Sequence, residues 1–97
     1  MKVRYDLVDP EAVHGIALAF TSGLKKGYAE EGWRSVPKHK YIAAYQRHMR
    51  EHRKGNLFDD ETGLLHIDHA LANLVILRSF TVADISVKDQ MDKGEYK

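Results

Sequence analysis

Apolar residues recur at helical spacing along three long segments of this chain, and turn-forming residues separate the segments. The first predicted helix begins at Pro10, with Asp9 as its N-cap, and runs to about Lys26, where Gly27 is a suitable C-cap. Its apolar stripe consists of Val13, Ile16, Ala17, Phe20 and Leu24. This spacing places the stripe on one helical face, which we expect to be buried.

The next two segments predict a second and a third helix. The second covers residues 38–54, because Gly55 follows and stops it. The third is expected to start at Asp60 or Glu61 and to run to about Phe80. The apolar positions are Ile42, Ala43, Tyr45 and Met49 in the second helix, and Leu64, Ile67, Leu71, Leu74, Val75 and Leu77 in the third.

These segments predict an all-α fold, a small bundle of three to four helices that forms a single domain over residues 1–85. Residues 81–85 either extend the third helix or form a short fourth one. Residues 5–9 are expected to be an extended lead-in, and the one short strand that the pattern allows lies at residues 3–7. Residues 86–97 are predicted to be a charged C-terminal tail.

Composition narrows the classes of function. The 97 residues are 43% apolar, which suffices for one modest core, and a chain this small is expected to form a homo-oligomer. A net charge of +1 excludes a general nucleic-acid binder that works by bulk charge. The absence of cysteine excludes disulfides and thiolate sites. The start lacks a signal peptide and no apolar run could span a membrane, so we expect a cytoplasmic protein.

The start of the third helix carries the most informative polar residues. His66 and His69 lie close to one face of that helix, together with Asn73, and this face is expected to point inward. With the carboxylates of Asp59 and Glu61, the imidazoles are suitable ligands for a divalent metal. The alternative is that the two carboxylates cap the helix while the histidines bond to the backbone or to neighbouring helices.

The loop after the first helix combines cations with large aromatic side chains. Lys25, Lys26 and Arg34 could neutralise phosphate, and Tyr28 and Trp33 could stack on a base. The alternative for Trp33 is that it fills the core from the loop, the commoner role of a lone tryptophan.

The second helix carries two histidines with different expected environments. His48 shares a face with apolar residues and should point towards the third helix, whereas His52 is expected to be solvated. The basic run that includes Arg47 is either a hydrated face or a source of cations for phosphate. No phosphate-binding loop or nucleophile elbow is present. Any catalysis would therefore use a metal or acid–base chemistry by histidine and carboxylate.

Several of these positions together resemble a known family. The matching residues are Tyr5-Asp6-Leu7, Pro10-Glu11-Ala12, Thr21-x-Gly23, Lys25-Lys26, Tyr28, Trp33, Arg47-His48, Gly55 and Asp59-x-Glu61-Thr62-Gly63-x-x-His66-x-x-His69-Ala70-x-x-Asn73. Over residues 4–80 the chain resembles the phage and prophage domain named dATP/dGTP diphosphohydrolase, N-terminal. The resemblance implies an all-α, phage-associated, nucleotide-binding domain that acts in purine deoxynucleotide metabolism in an infected bacterial cell.

The first hypothesis is a small helical oligomer that binds a purine nucleotide and acts as a metal-dependent nucleoside triphosphate pyrophosphohydrolase. Asp59 and Glu61 would hold a divalent metal, expected to be Mg²⁺, with His66 or His69 as further ligands. His48 would act as general base or phosphate contact, and Glu61, His66 and His69 complete the candidate catalytic set. The candidate nucleotide-binding residues are Lys25, Lys26, Tyr28, Trp33, Arg47 and Asn73.

Two readings of another class stay open. One is a binding protein without turnover, a sponge that sequesters a cyclic or modified signalling nucleotide and so counters host anti-phage immunity. The other is an interaction protein whose polar cluster stabilises its oligomer. Neither reading involves a membrane or sequence-specific nucleic acid. We expect the site to be shared between chains, because three short helices leave little room for a private pocket.

Overall fold

The computed structural model describes residues 2–85, and these fold into three α-helices with two single turns of 3-10 helix. The helices are α1 (Pro10–Lys25), α2 (Lys38–Arg53) and α3 (His66–Asp84), and the 3-10 turns lie at Tyr5–Leu7 and Gly32–Ser35. The predicted all-α fold is confirmed. The predicted charged tail at residues 86–97 lies outside the described residues.

The start of α1 is capped as predicted from the sequence. The Asp9 carboxylate accepts a hydrogen bond from the Glu11 N–H at 2.9 Å, and Pro10 occupies the first helical position. The predicted extended lead-in was wrong, because residues 5–7 close a 3-10 turn, and no strand forms at residues 3–7. Within this turn Arg4 pairs with Asp6, two residues ahead, and this local ion pair favours a bend over an extended segment.

The predicted start of α3 was wrong by about five residues. Residues 59–63 form a tight turn instead of a first helical turn: the Gly63 N–H donates to the Asp59 carbonyl at 2.7 Å. Gly63 has a φ of +74°, a left-handed conformation that interrupts a right-handed helix and suits glycine. A single antiparallel bridge between Phe58 and Leu65 then brings the chain back, and α3 begins at His66.

The C-terminal end of α3 extends further than Phe80, the predicted end. The helix continues through residues 81–84, so the alternative of an extended third helix is confirmed, and residues 2–85 contain no fourth helix. The hydroxyls of Ser79 and Thr81 donate to carbonyls four residues earlier, which satisfies them within the helix. No glycine or proline interrupts this segment.

The helices meet through small and polar side chains. α3 packs mainly against α2 and secondly against α1. The most buried side chains of residues 2–85 are Ala19, Ala70, Ala72, Ile76, His48 and His66. Seven predicted stripe positions are instead exposed, namely Val13, Ala17, Leu24, Ile42, Ala43, Leu74 and Val75. Small residues let two helix backbones approach closely, so the buried faces are centred on them and not on the bulkiest side chains.

Gly15 marks the closest approach of α1 to α3. A Cβ atom at this position would lie 2.6 Å from Cγ and 2.8 Å from Oδ2 of Asp68, and closer still to its Oδ1. The Asp68 carboxylate therefore rests directly on the backbone of α1. None of the helices within residues 2–85 has the length and apolar content needed to cross a membrane.

Candidate functional site

A cavity of about 510 Å³ opens between the end of α1, the following loop, and one face each of α2 and α3. Six of the residues predicted from sequence line it: Lys26, Tyr28, Trp33, His48, His69 and Asn73. The loop residues come from one side, whereas the two histidines and the asparagine come from the paired helices. The fold thus brings together residues up to 47 positions apart in sequence.

Three imidazole rings pack together beside this cavity. Nδ1 of His48 and Nδ1 of His66 are 2.8 Å apart, so one ring donates a proton and the other accepts it. On its other side, the His48 ring stacks on His69, with centroids 4.7 Å apart and planes inclined by 17°. His66 lies behind His48 and does not line the cavity. His48 therefore links a buried ring to a cavity-lining one.

His69 is tied to the turn that precedes α3. Its Nε2 lies 2.7 Å from Oγ1 of Thr62, and that hydroxyl donates to Oδ2 of Asp59 at 2.9 Å. The Thr62 N–H also reaches Oδ2 of Asp59, at 3.2 Å. Asn73, one helical turn further along, donates from Nδ2 to the carbonyl of His69 at 2.9 Å. The orientation of the His69 side chain is thus fixed through Thr62.

Burial lowers the pKa of two of the imidazoles, those of His48 and His69. The pKa of His48 is lowered to about 4, mainly by burial and in part by the neighbouring His69, Arg47 and His66. The pKa of His69 is also lowered, again mainly by burial, although Asp59 acts in the opposite direction. Burial alone would raise the pKa of Asp59, but hydrogen bonds from the Thr62 hydroxyl and N–H outweigh it and lower that pKa overall. At neutral pH His48 and His69 are therefore neutral, and Asp59 beside them is a charged carboxylate.

Trp33 forms an aromatic wall that is itself held in place. Its ring meets Phe80 edge to face with centroids 5.5 Å apart, and its carbonyl accepts a hydrogen bond from the Tyr41 hydroxyl at 2.8 Å. The Arg34 guanidinium lies 4.4 Å from the centroid of the Trp33 ring. Both predicted roles therefore coexist: Trp33 packs on the end of α3 and also lines the cavity.

The rim of the cavity is charged. Lys26 forms an ion pair with Glu61 at 2.8 Å, and Glu61 remains 73% exposed. Lys40, at the start of α2, supplies a second cation, and Glu30 supplies the carboxylate on the loop side. Anionic groups of a ligand in the cavity would therefore meet two lysines and one glutamate of the lining.

Comparison with known proteins identifies the family of the chain. Residues 1–90 match the profile of a family described as dATP/dGTP diphosphohydrolase, N-terminal. The chain belongs to this family. The dATP/dGTP diphosphohydrolase of Salmonella phage PMBT28 is 33% identical over 76 residues, which is 78% of this chain and 26% of the phage protein. The chain thus spans about a quarter of that relative's length. No solved structure matches the chain significantly.

The predicted site residues that match the family motif do not all lie at the cavity. Asp59 and His66 lie behind the lining, where they contact Thr62 and His48 respectively. Lys25 and Glu61 line a smaller neighbouring cavity of about 290 Å³, and Lys26 borders both cavities. Arg47 is exposed and lines neither cavity.

The predicted metal ligands, which are Asp59, Glu61, His66 and His69, are not assembled into one site. The part of the chain that the structure describes contains no group of three or more histidine, aspartate or glutamate side chains placed to hold a metal ion. The physical reason lies in two contacts: Lys26 holds Glu61 at the surface, while Thr62 takes up one oxygen of Asp59. Use of Mg²⁺ stays a prediction.

Two residues of the site were missed by the sequence reading. Lys40 lies in a charged segment of α2, where one lysine among several cations gives no signal of its own. Thr62 stood in the family motif without an assigned role, because its contact with His69 depends on the turn at residues 59–63. Thr62 lies in the turn and His69 in α3, so helical spacing does not relate the two side chains.

Proposed function

We propose that this domain binds a purine deoxynucleotide in the 510 Å³ cavity. The observation that carries the proposal is the meeting of six predicted residues around a single space of a volume typical for small ligands. Lys26 and Lys40 would contact the phosphates, and Tyr28 and Trp33 would stack on the base. The family description and the name of the phage relative support a nucleotide as the ligand.

Asn73 is suited to recognise the edge of a purine. Its Nδ2 donates to the His69 carbonyl, which leaves Oδ1 as an acceptor in a residue that lines the cavity. The exocyclic amino group of adenine and the N–H groups of guanine are donors that such an oxygen would accept. Asn73→Asp would keep the acceptor but add a charge and lose the donor.

Hydrolysis of the phosphoanhydride is the activity we propose for the whole protein, as in its phage relative. Neutral His69 and His48 lie on the cavity wall. His69, with Asp59 nearby, is suited to accept the proton of an attacking water, and His48 would contact the phosphates. Because the described residues form no grouped metal site, any Mg²⁺ would be carried by the nucleotide phosphates. The protein's own residues then bind the phosphates, orient the base and hold the proton.

A thermal-shift panel with chromatography of the recovered ligand tests this proposal. Linear purine deoxynucleotides should raise the melting temperature by mass action, and incubation with Mg²⁺ should release a monophosphate. Lys40→Gln should weaken binding about tenfold because it removes a charged phosphate contact, whereas Lys54→Gln, outside the cavity, serves as the control. No shift with any nucleotide would overturn the proposal.

Sequestration without turnover is the second candidate. The absence of grouped carboxylates within residues 2–85 favours it, since aromatic stacking and lysine contacts suffice to hold a nucleotide. A sponge directed against host immunity would bind a cyclic or modified nucleotide and return it intact after heat denaturation, with no effect of chelators. The same panel, extended to cyclic nucleotides, separates the two candidates.

A further inference from the structure

The hydroxyl of Thr62 lies at the junction of three polar groups. Its Oγ1 is 2.9 Å from Oδ2 of Asp59, 2.7 Å from Nε2 of His69 and 3.2 Å from the backbone nitrogen of Leu64. A threonine hydroxyl has one proton to donate and two lone pairs that accept. The three contacts therefore use its full hydrogen-bonding capacity.

Counting protons determines which groups donate. An aspartate carboxylate at neutral pH only accepts, so the single hydroxyl proton must lie between Thr62 and Asp59. The Leu64 N–H donates to one lone pair of Oγ1. His69 must then donate from Nε2 to the remaining lone pair. In the neutral ring this leaves Nδ1 without a proton.

We propose that Asp59 and Thr62 are positioning residues that fix His69 in its Nε2–H tautomer and present Nδ1 as a proton acceptor to the cavity. Within residues 2–85 the only fully buried side-chain nitrogen or oxygen without a hydrogen bond is Nδ1 of His52, so Nδ1 of His69 is not fully buried. It forms no hydrogen bond to another described residue, and His69 lines the cavity.

The reaction served by this nitrogen rests on the proposed hydrolysis. The oxygen of a water molecule forms a bond to phosphorus, the phosphoanhydride P–O bond breaks, and the diphosphate leaves with the electron pair. The proton of the water passes to Nδ1 of His69. The resulting imidazolium then donates through Nε2 to Thr62, and its charge is offset by Asp59.

Thr62→Val and Thr62→Ser form the decisive pair of variants. Valine keeps the shape and removes the hydroxyl, whereas serine restores it. Thr81→Val is the matched control, because Thr81 bonds only to the Leu77 carbonyl, on an exposed face of α3. Nitrogen-15 NMR of histidine-labelled protein at a mildly alkaline pH distinguishes protonated from unprotonated ring nitrogens, and His69→Gln assigns the His69 signals.

We expect wild-type protein, Thr62→Ser and Thr81→Val to show His69 protonated at Nε2, and Thr62→Val to show a mixture of tautomers. Turnover should fall at least about tenfold in Thr62→Val with unchanged nucleotide affinity, and Thr62→Ser should recover it. A proton on Nδ1 in wild-type protein, or an unaltered tautomer in Thr62→Val, would overturn the inference. If wild-type protein shows the expected tautomer without turnover, the positioning role stands and the proposed hydrolysis fails.

Discussion

His48 has an imidazole ring that is 6% exposed, although histidine is among the more polar side chains. The ring gains a bond to His66 and a stacking contact with His69, but it loses hydration. Neither contact brings a negative charge to the ring, which is compatible with the lowered pKa of His48. Protonation of His48 would place a charge among groups that cannot offset it.

Stability should therefore fall on acidification. In the unfolded chain His48 takes up a proton near its ordinary pKa of 6.5, whereas in the folded chain its pKa is about 4. Between these values the unfolded state binds more protons, so lowering the pH through this window favours unfolding. After allowance for solvent screening we expect a loss of about 1–2 kcal/mol, measured as the free energy of urea unfolding at several pH values.

His48→Gln should flatten this pH dependence, because glutamine does not titrate. His14→Gln replaces an exposed histidine on α1 and is the control. The explanation is wrong if His48→Gln loses as much stability on acidification as the wild-type protein. Part of the dependence should persist in His48→Gln, since the pKa of His69 is lowered as well.

A shared helical face predicted the burial of His48 correctly, although several apolar stripe positions chosen in the same way are exposed. His48 was expected to point inward because it shares a face with Tyr41, Ala44 and Tyr45, and it is buried. The contact of Thr62 with His69 could not be predicted in this way, because it depends on where the chain turns. Local spacing determines which side chains share a helical face, but only tertiary structure determines which face is buried and which partner a side chain meets.

At the scale of helices, the contact between Gly15 and Asp68 controls how α1 meets α3. Gly15→Ala should destabilise the fold by about 1–2 kcal/mol, although alanine favours helix by about 1 kcal/mol, because the new Cβ displaces the Asp68 carboxylate. In an Asp68→Ala background the same change should stabilise by about 0.5–1 kcal/mol. Urea unfolding of the four proteins measures both effects.

The effect of Gly15→Ala on the free energy of unfolding should have opposite signs in the two backgrounds, and this reversal is the essential result. If Gly15→Ala stabilises the wild-type protein as well, the close approach of α1 to α3 has no energetic consequence. If it destabilises both backgrounds equally, a neighbour other than Asp68 is responsible.

Helix boundaries were predictable where capping chemistry was local. Asp9 and Pro10 determine the start of α1 through contacts within three residues. The start of α3 was not predictable in this way. An aspartate three residues before a threonine, as at Asp59 and Thr62, bonds to the backbone equally well at a helix start and in a tight turn. Gly63 at positive φ and the bridge at Leu65 decide for the turn, and the bridge partner lies seven residues away.

At the scale of the whole molecule, the core is thin. No large side chain of residues 2–85 is completely buried. Large apolar side chains on α1 and α3 remain exposed, including Val13 at 53%, Leu24 at 47% and Leu74 at 43%. The homo-oligomer that chain length suggested stays a prediction, and these faces are where a second copy would bury apolar area.

We expect the melting temperature to rise with protein concentration. Association that involves only the folded state stabilises it by mass action, so an increase of about a hundredfold in concentration should raise the midpoint by a few degrees. Scanning calorimetry and sedimentation velocity over the same range measure stability and mass together. A constant midpoint and a monomeric mass throughout would contradict the predicted oligomer.

The loop before α3 is closed by its own backbone. The first N–H of the helix, at His66, donates to the carbonyl of Leu57 at 2.8 Å, and the Asp59 N–H donates to the carbonyl of Leu64 at 2.8 Å. Insertion of one residue between positions 59 and 64 would shift this register while leaving the paired helices intact. Length variation here would thus alter the proposed proton transfer separately from folding. If that proposal holds, relatives with a longer loop would be natural candidates for proteins that retain a nucleotide without cleaving it.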